Sequence, residues 1–138
     1  MRRCQVLLAA ILTFTTSVAS AETINVSDDH GGLLFAYQLQ WAGLAAQKVS
    51  VRIAGPCVSA CTVLLGYIPR QNICVTPNAS LGFHLATMQF ATDALWQAYP
   101  PDIRAWIERN GGLTYQVIYL HAPAIYHFLQ KCRAGARP

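Results

Sequence analysis

The chain has 138 residues, 54% of them apolar and only 12% charged, with a formal net charge of +4. That length suits one small domain with a modest core. The basic residues gather into no patch, which argues against a nucleic-acid partner, and no internal repeat, low-complexity run or interdomain linker is visible.

The first segment reads as a leader. Arg2 and Arg3 form a basic start, Val6 to Phe14 is nearly all apolar, and Ala19-Ser20-Ala21 supplies the small residues of a cleavage site. This predicts a signal peptide over 1–21, a mature chain beginning at Glu22, and a single domain over 22–138. The apolar run is short for a transmembrane helix, so no stable membrane span is expected after cleavage; an uncleaved anchor is the alternative. Cys4 leaves with the leader. The expected location is secreted or periplasmic, and the loss of Arg2 and Arg3 lowers the net charge from +4 to +2.

Val49-Ser50-Val51-Arg52-Ile53 alternates apolar and polar residues as a half-buried strand should. Gly55-Pro56 breaks it, and Ser59 to Leu65 reads as a short apolar helix. Ile73-Cys74-Val75 is again strand-like. Tyr99-Pro100-Pro101-Asp102 reads as a turn between two helices. The C-terminal apolar stretch, Tyr115 to Leu129, carries His121 and His127 on what reads as a helix surface. Strands alternating with helices to about residue 86, followed by helices, predict an α/β fold: a small, partly parallel sheet with covering helices.

Ser59 follows a strand-like run at the mouth of a helix, a common way to present a nucleophile, and His84 follows 25 residues later. An alkoxide there would lie near free helix amides and the positive end of the macrodipole. The alternative is that Ser59 caps its helix and His84 packs in a core. His30 reads as an exposed turn histidine. Tyr37, Trp41, Trp96 and Trp106 read as core or subunit contacts. Two sequons, at Asn25 and Asn78, mean little in a host that does not glycosylate.

Cleavage leaves Cys57, Cys61, Cys74 and Cys132, an even number that points to disulfides in an oxidising compartment, with three pairings open. Cys57 and Cys61 bracket Ser59, so pinning either would stiffen the nucleophile turn. With Cys61 on a helix directed at the sheet and Cys74 on the next strand, Cys61–Cys74 with Cys57–Cys132 is the expected pairing. A zinc site with His84 as fourth ligand is the rival, although the spacings fit no standard zinc signature; no metal and no cofactor are expected.

Between Asp29 and Ala86 the chain resembles the proteolytic subunit of Clp protease and its signal-peptide-peptidase relatives, of the ClpP/crotonase fold. The parts that carry the resemblance run in order: Gly31-Gly32, a helix from Leu33 to Gln47, the strand Val49 to Ile53, Gly55-Pro56-Cys57-Val58-Ser59 opening a second helix, Ile73-Cys74-Val75-Thr76-Pro77, and His84. The likeness is greatest to small exported Clp-like proteins with a Cys-x-Ser-Ala-Cys-Thr signature, and the chain is much shorter than a complete Clp-type subunit. The resemblance implies acyl transfer, with Ser59 attacking a carbonyl and His84 shuttling the proton. It also implies an oxyanion hole from the amides of Gly32, with Gly31 in the same turn, and of Ala60. The family assembles into rings, so a homo-oligomer is expected alongside a peptide or protein substrate.

One part is missing. The family's triad acid lies well downstream of the histidine, and here only Asp93, Asp102 and Glu108 follow His84, all earlier than that position. Asp102 reads as a helix-start residue. The site is then a Ser-His dyad, a dyad oriented by a backbone group or an Asn, or an inactive relic. Two functions follow: an exported, ATP-independent serine hydrolase, most simply a peptidase, or a non-catalytic Clp-like module that binds peptide or a partner protein. An acyl-CoA site of the crotonase kind lacks a basic cluster to hold the nucleotide.

Overall fold

A computed structural model describes residues 22–133. The expected leader, 1–21, and the last five residues of the expected domain lie outside the described residues.

The elements in chain order are β1 (Thr23–Val26), α1 (Leu34–Ala46), β2 (Ser50–Ile53), β3 (Pro56–Val58), a 3₁₀ turn (Ser59–Val63), α2 (Leu64–Tyr67), a second 3₁₀ turn (Arg70–Asn72), β4 (Ile73–Val75), β5 (Ser80–Phe83), α3 (Gln89–Ala98), α4 (Pro101–Arg109), β6 (Ile118–His121), a third 3₁₀ turn (Ala124–His127) and β7 (Gln130–Lys131). Two sheets result, in the orders β1-β2-β4-β7 and β3-β5-β6. Every pairing in the first is parallel, as is β3 with β5; β6 runs antiparallel to β5. This is the expected α/β fold with a largely parallel sheet and covering helices.

The alternation in the sequence explains β2: Val51 and Ile53 are buried while Ser50 and Arg52 are not. Between β2 and β3 the chain changes sheets at Gly55, where a β-carbon would stand 1.9 Å from the Ser27 carbonyl oxygen. Only glycine permits that approach. The core then fills from both sheets and the helices, with Trp41, Ile53, Leu64, Ile73, Leu81, Phe83, Ile103 and Leu120 all nearly inaccessible. Phe83 meets Tyr99 edge-on, ring centres 5.1 Å apart, an arrangement aromatic quadrupoles favour. Pro101 at the start of α4 fits a position whose amide has no helical partner, and α4 buries Ile103 and Ile107, four apart on one face.

Three expectations need correction. The segment from Ser59 is a 3₁₀ turn followed by a single α turn, not a continuous α-helix. The stretch 115–129 supplies strand β6 and a 3₁₀ turn rather than a helix face, because Ile118 and Leu120 pack inward by strand alternation against β5. The disulfides are Cys57–Cys61 and Cys74–Cys132, not Cys61–Cys74 with Cys57–Cys132. The tight winding of the 3₁₀ turn brings Cys61 back to Cys57, with Cα atoms 5.4 Å apart. Strand β7 returns parallel to β4, opposing Gln130 to Cys74 and carrying Cys132 within reach.

Candidate active site

Strand β3 lies parallel to β5 with Val58 opposite Gly82. Ser59 is the next residue after one strand and His84 the next after the other, so both leave the C-terminal end of a parallel pair whose strands lie about 4.8 Å apart. At Ser59 the backbone takes φ +58, in the left-handed region that a side chain makes costly. The half-buried serine therefore stands on a sharp strand-to-helix turn.

That turn is held from within. The Cys57–Cys61 bridge closes around it, both cysteines fully buried. Thr62 Oγ1 donates to the Ser59 carbonyl at 2.6 Å, which leaves it to accept from the Tyr99 hydroxyl at 2.8 Å. Burial pushes the Tyr99 hydroxyl well above its ordinary pKa, the Thr62 bond opposing only in part, so it remains a donor.

The Gly31-Gly32 turn approaches from the other side. Asp29 pairs with β3 through Asp29 N–H to Pro56 O at 2.9 Å and Val58 N–H to Asp29 O at 2.8 Å. Its carboxylate accepts from Gly31 N–H at 2.9 Å and from the Tyr37 hydroxyl at 2.6 Å. Burial and then the Asp29 bond hold the Tyr37 hydroxyl up at about 12. The amide hydrogen of Gly31 is thus committed to Asp29. Among the described residues, Gly32 N–H has no hydrogen-bond partner.

His84 is half-buried, and its Nδ1 lies 2.6 Å from the Leu85 carbonyl oxygen. A carbonyl can only accept, so Nδ1 carries the hydrogen and Nε2 presents a lone pair, the tautomer of a general base. Among the described residues no hydrogen bond joins Ser59 to His84, and no carboxylate bonds the imidazole. Asp93 accepts from Gln89 at 2.8 Å. Asp102 is bound by both terminal nitrogens of Arg70 and by Ile103 N–H, and the Arg70 bond holds its carboxyl below the usual range. Glu108 is exposed.

His30 is exposed beside Asp28, and His121 Nδ1 donates to the Ala122 carbonyl on the surface. His127 is likewise exposed. The four sulfurs of Cys57, Cys61, Cys74 and Cys132 are consumed in bridges, so they offer no thiolate to zinc, and the described residues hold no cluster of three or more His, Cys, Asp or Glu placed for a metal.

Ser59, Ala60 and Gly32 line a cleft of about 410 Å³, faced by Leu34 of α1 and by Ala91, Ala94 and Leu95 of α3. No charged residue borders it, and His84 stands outside its lining. Its mouth is flanked by apolar side chains left in water: Leu33 (75% exposed), Phe35 (64%), Met88 (59%) and Phe90 (71%). The α3 wall was missed in the sequence. Its signal was the Phe90-Ala91 and Ala94-Leu95 pairs, four apart, which put small and apolar groups on one helical face.

No protein-family model matches the sequence, and no curated protein matches it. Among solved structures the chain is similar to a mutant of ClpP1 from Listeria monocytogenes, with a TM-score of 0.48 and 15% identity, over 83% of this chain and 77% of that one.

Proposed function

We propose that the chain is an exported serine hydrolase of the peptidase kind, with Ser59 as nucleophile and His84 as base. One observation carries the reading: a serine with φ +58 lines an apolar cleft together with Gly32 and Ala60, the residues whose amides this reading assigns to a developing oxyanion. Backbone held in a sparsely populated region is a recurrent mark of functional sites.

The chemistry follows from the groups present. His84 Nε2 takes the hydroxyl proton as Ser59 Oγ attacks a carbonyl carbon, and the charge on the carbonyl oxygen falls to the Gly32 and Ala60 amides. His84 then returns the proton to the departing amine, and water repeats the cycle on the acyl-enzyme. The Leu85 carbonyl takes the place of a triad acid in fixing the tautomer, but a neutral dipole stabilises an imidazolium less than a carboxylate does. Slow turnover is expected. The substrate places an apolar side chain in the cleft, since nothing charged lines it.

Export is supported by the two disulfides, which suit an oxidising compartment, and among the described residues no helix is long and apolar enough to cross a membrane. Assembly with further copies is supported by α1, a helix without a single charge that leaves Phe35 and Leu39 in water.

The missing Ser59–His84 bond favours a second reading, a non-catalytic module that binds an apolar peptide in the same cleft. Labelling with a fluorophosphonate probe separates the two. The hydrolase reading expects covalent modification at Ser59, lost in Ser59→Ala and much slower in His84→Ala; an unlabelled protein that still binds apolar peptides supports the module.

A further inference from the structure

We infer that the Cys57–Cys61 bridge is a positioning device for the Ser59 nucleophile, setting its reactivity beyond whatever it adds to the stability of the fold. The inference rests on the hydrolase reading above.

The two bridges of the molecule divide their work by topology. Cys74–Cys132 spans 58 positions and fastens the C-terminal strand β7 to β4, so its effect is on the whole domain. Cys57–Cys61 spans only four positions and joins no distant elements. Strand β3 is already held to β5 by its ladder, and the 3₁₀ turn is already anchored in the core by Val63 at its end and Leu64 just after it. What the small ring encloses is Val58, Ser59 and Ala60: the left-handed nucleophile and the amide suited to the oxyanion.

A five-residue ring with Ser59 at its apex restricts the φ and ψ that could relax toward the ordinary helical region. Without the covalent closure, Ser59 is free to settle to negative φ, which carries its Oγ away from Gly31 and Gly32. The Thr62–Tyr99 chain holds the Ser59 carbonyl and, through the planar peptide, the Ala60 N–H, but it makes no bond to the Ser59 side chain. Cys57 and Cys61 touch no substrate; they act through Ser59.

The test is the kinetics of fluorophosphonate inactivation, in which Ser59 Oγ forms a bond to phosphorus, fluoride leaves, and the serine proton passes to His84. The limiting rate and the half-saturating probe concentration are measured separately. For the Cys57→Ala/Cys61→Ala pair we expect a limiting rate roughly 10²-fold lower, the scale of a misplacement of about 1 Å, with half-saturation little changed. The Cys74→Ala/Cys132→Ala pair should label at the wild-type rate wherever it is folded. Reversible partial unfolding would scale the observed rate by the folded fraction, so the limiting rate is divided by the folded fraction read from circular dichroism before the comparison. Should the alanine pair not fold, reductant titration of the wild-type protein, with labelling rate read against bridge state by mass, carries the same test. Equal limiting rates with and without the Cys57–Cys61 bridge overturn the inference while leaving the hydrolase reading intact. A wild-type protein that never labels overturns both.

Discussion

Gly31 packs so tightly against Ser59 that a β-carbon at position 31 would lie 2.9 Å from the Ser59 Cβ, 2.9 Å from the Ala60 nitrogen and 2.7 Å from the Val58 carbonyl oxygen. Two of those three neighbours are backbone atoms, which cannot swing aside. Gly31 also has φ +81, where an L side chain is strained in any surroundings. Gly31→Ala should therefore destabilise the domain by about 2–4 kcal/mol, overpacking added to backbone strain. A urea midpoint near the wild-type value would mean the turn yields freely, and the close fit would carry no consequence.

The two disulfides should differ in worth. On the chain-entropy model a bridge four positions apart stabilises by roughly 2 kcal/mol and one 58 positions apart by roughly 4 kcal/mol. Denaturant unfolding of the two double-alanine variants measures both. Removal of Cys74–Cys132 should cost clearly more, and the reverse order would show that the small ring supports the fold and not only the site.

Tyr37 makes stability depend on pH in the alkaline range. Its hydroxyl is held at about 12 in the folded chain against an ordinary 10.0, by burial and by donation to Asp29. With the folded value the higher, the contribution is complete below pH 10.0 and declines as pH rises through about 12. Wild type should therefore lose stability relative to Tyr37→Phe between pH 10 and 12, and at neutral pH Tyr37→Phe should be the less stable of the two because it leaves Asp29 without the 2.6 Å hydroxyl bond. A gap constant across that window would mean that neither burial nor the Asp29 bond holds the phenol proton.

How much of this was legible in the sequence depends on range. Strand β2 was readable because Val51 and Ile53 alternate with polar neighbours, and the helix break at Pro100-Pro101 because proline fixes its own φ. The cysteine pairing was not, because it turned on two things with no local signature. One is the 3₁₀ winding after Ser59, which depends on a left-handed serine that no propensity scale favours. The other is β7, two residues long and defined only by its partner β4. The stretch 115–129 misled for a related reason: Tyr115 to Leu129 is mostly apolar, interrupted by Gln116, His121 and His127, and such a run does not itself distinguish a strand from a helix. At the site, Ser59 and the glycine pair stood out by type and spacing. The engagement of His84 with its neighbour's carbonyl did not, since any residue supplies a carbonyl.

The cost of the nucleophile's conformation is itself measurable. Ser59 at φ +58 bears a left-handed penalty of about 1–2 kcal/mol that alanine shares and glycine escapes. Glycine gives back part of that through the greater freedom of its unfolded chain, about 0.4–1 kcal/mol. Ser59→Gly should then be more stable than Ser59→Ala by roughly 0.5–1 kcal/mol, while both lose fluorophosphonate labelling completely. The comparison isolates backbone strain, because neither variant keeps the hydroxyl. If the glycine variant is the less stable of the two, the turn relaxes out of the left-handed region once the hydroxyl is gone. Strain would then be no property of the backbone here, and the hydroxyl itself would be what holds the turn in place.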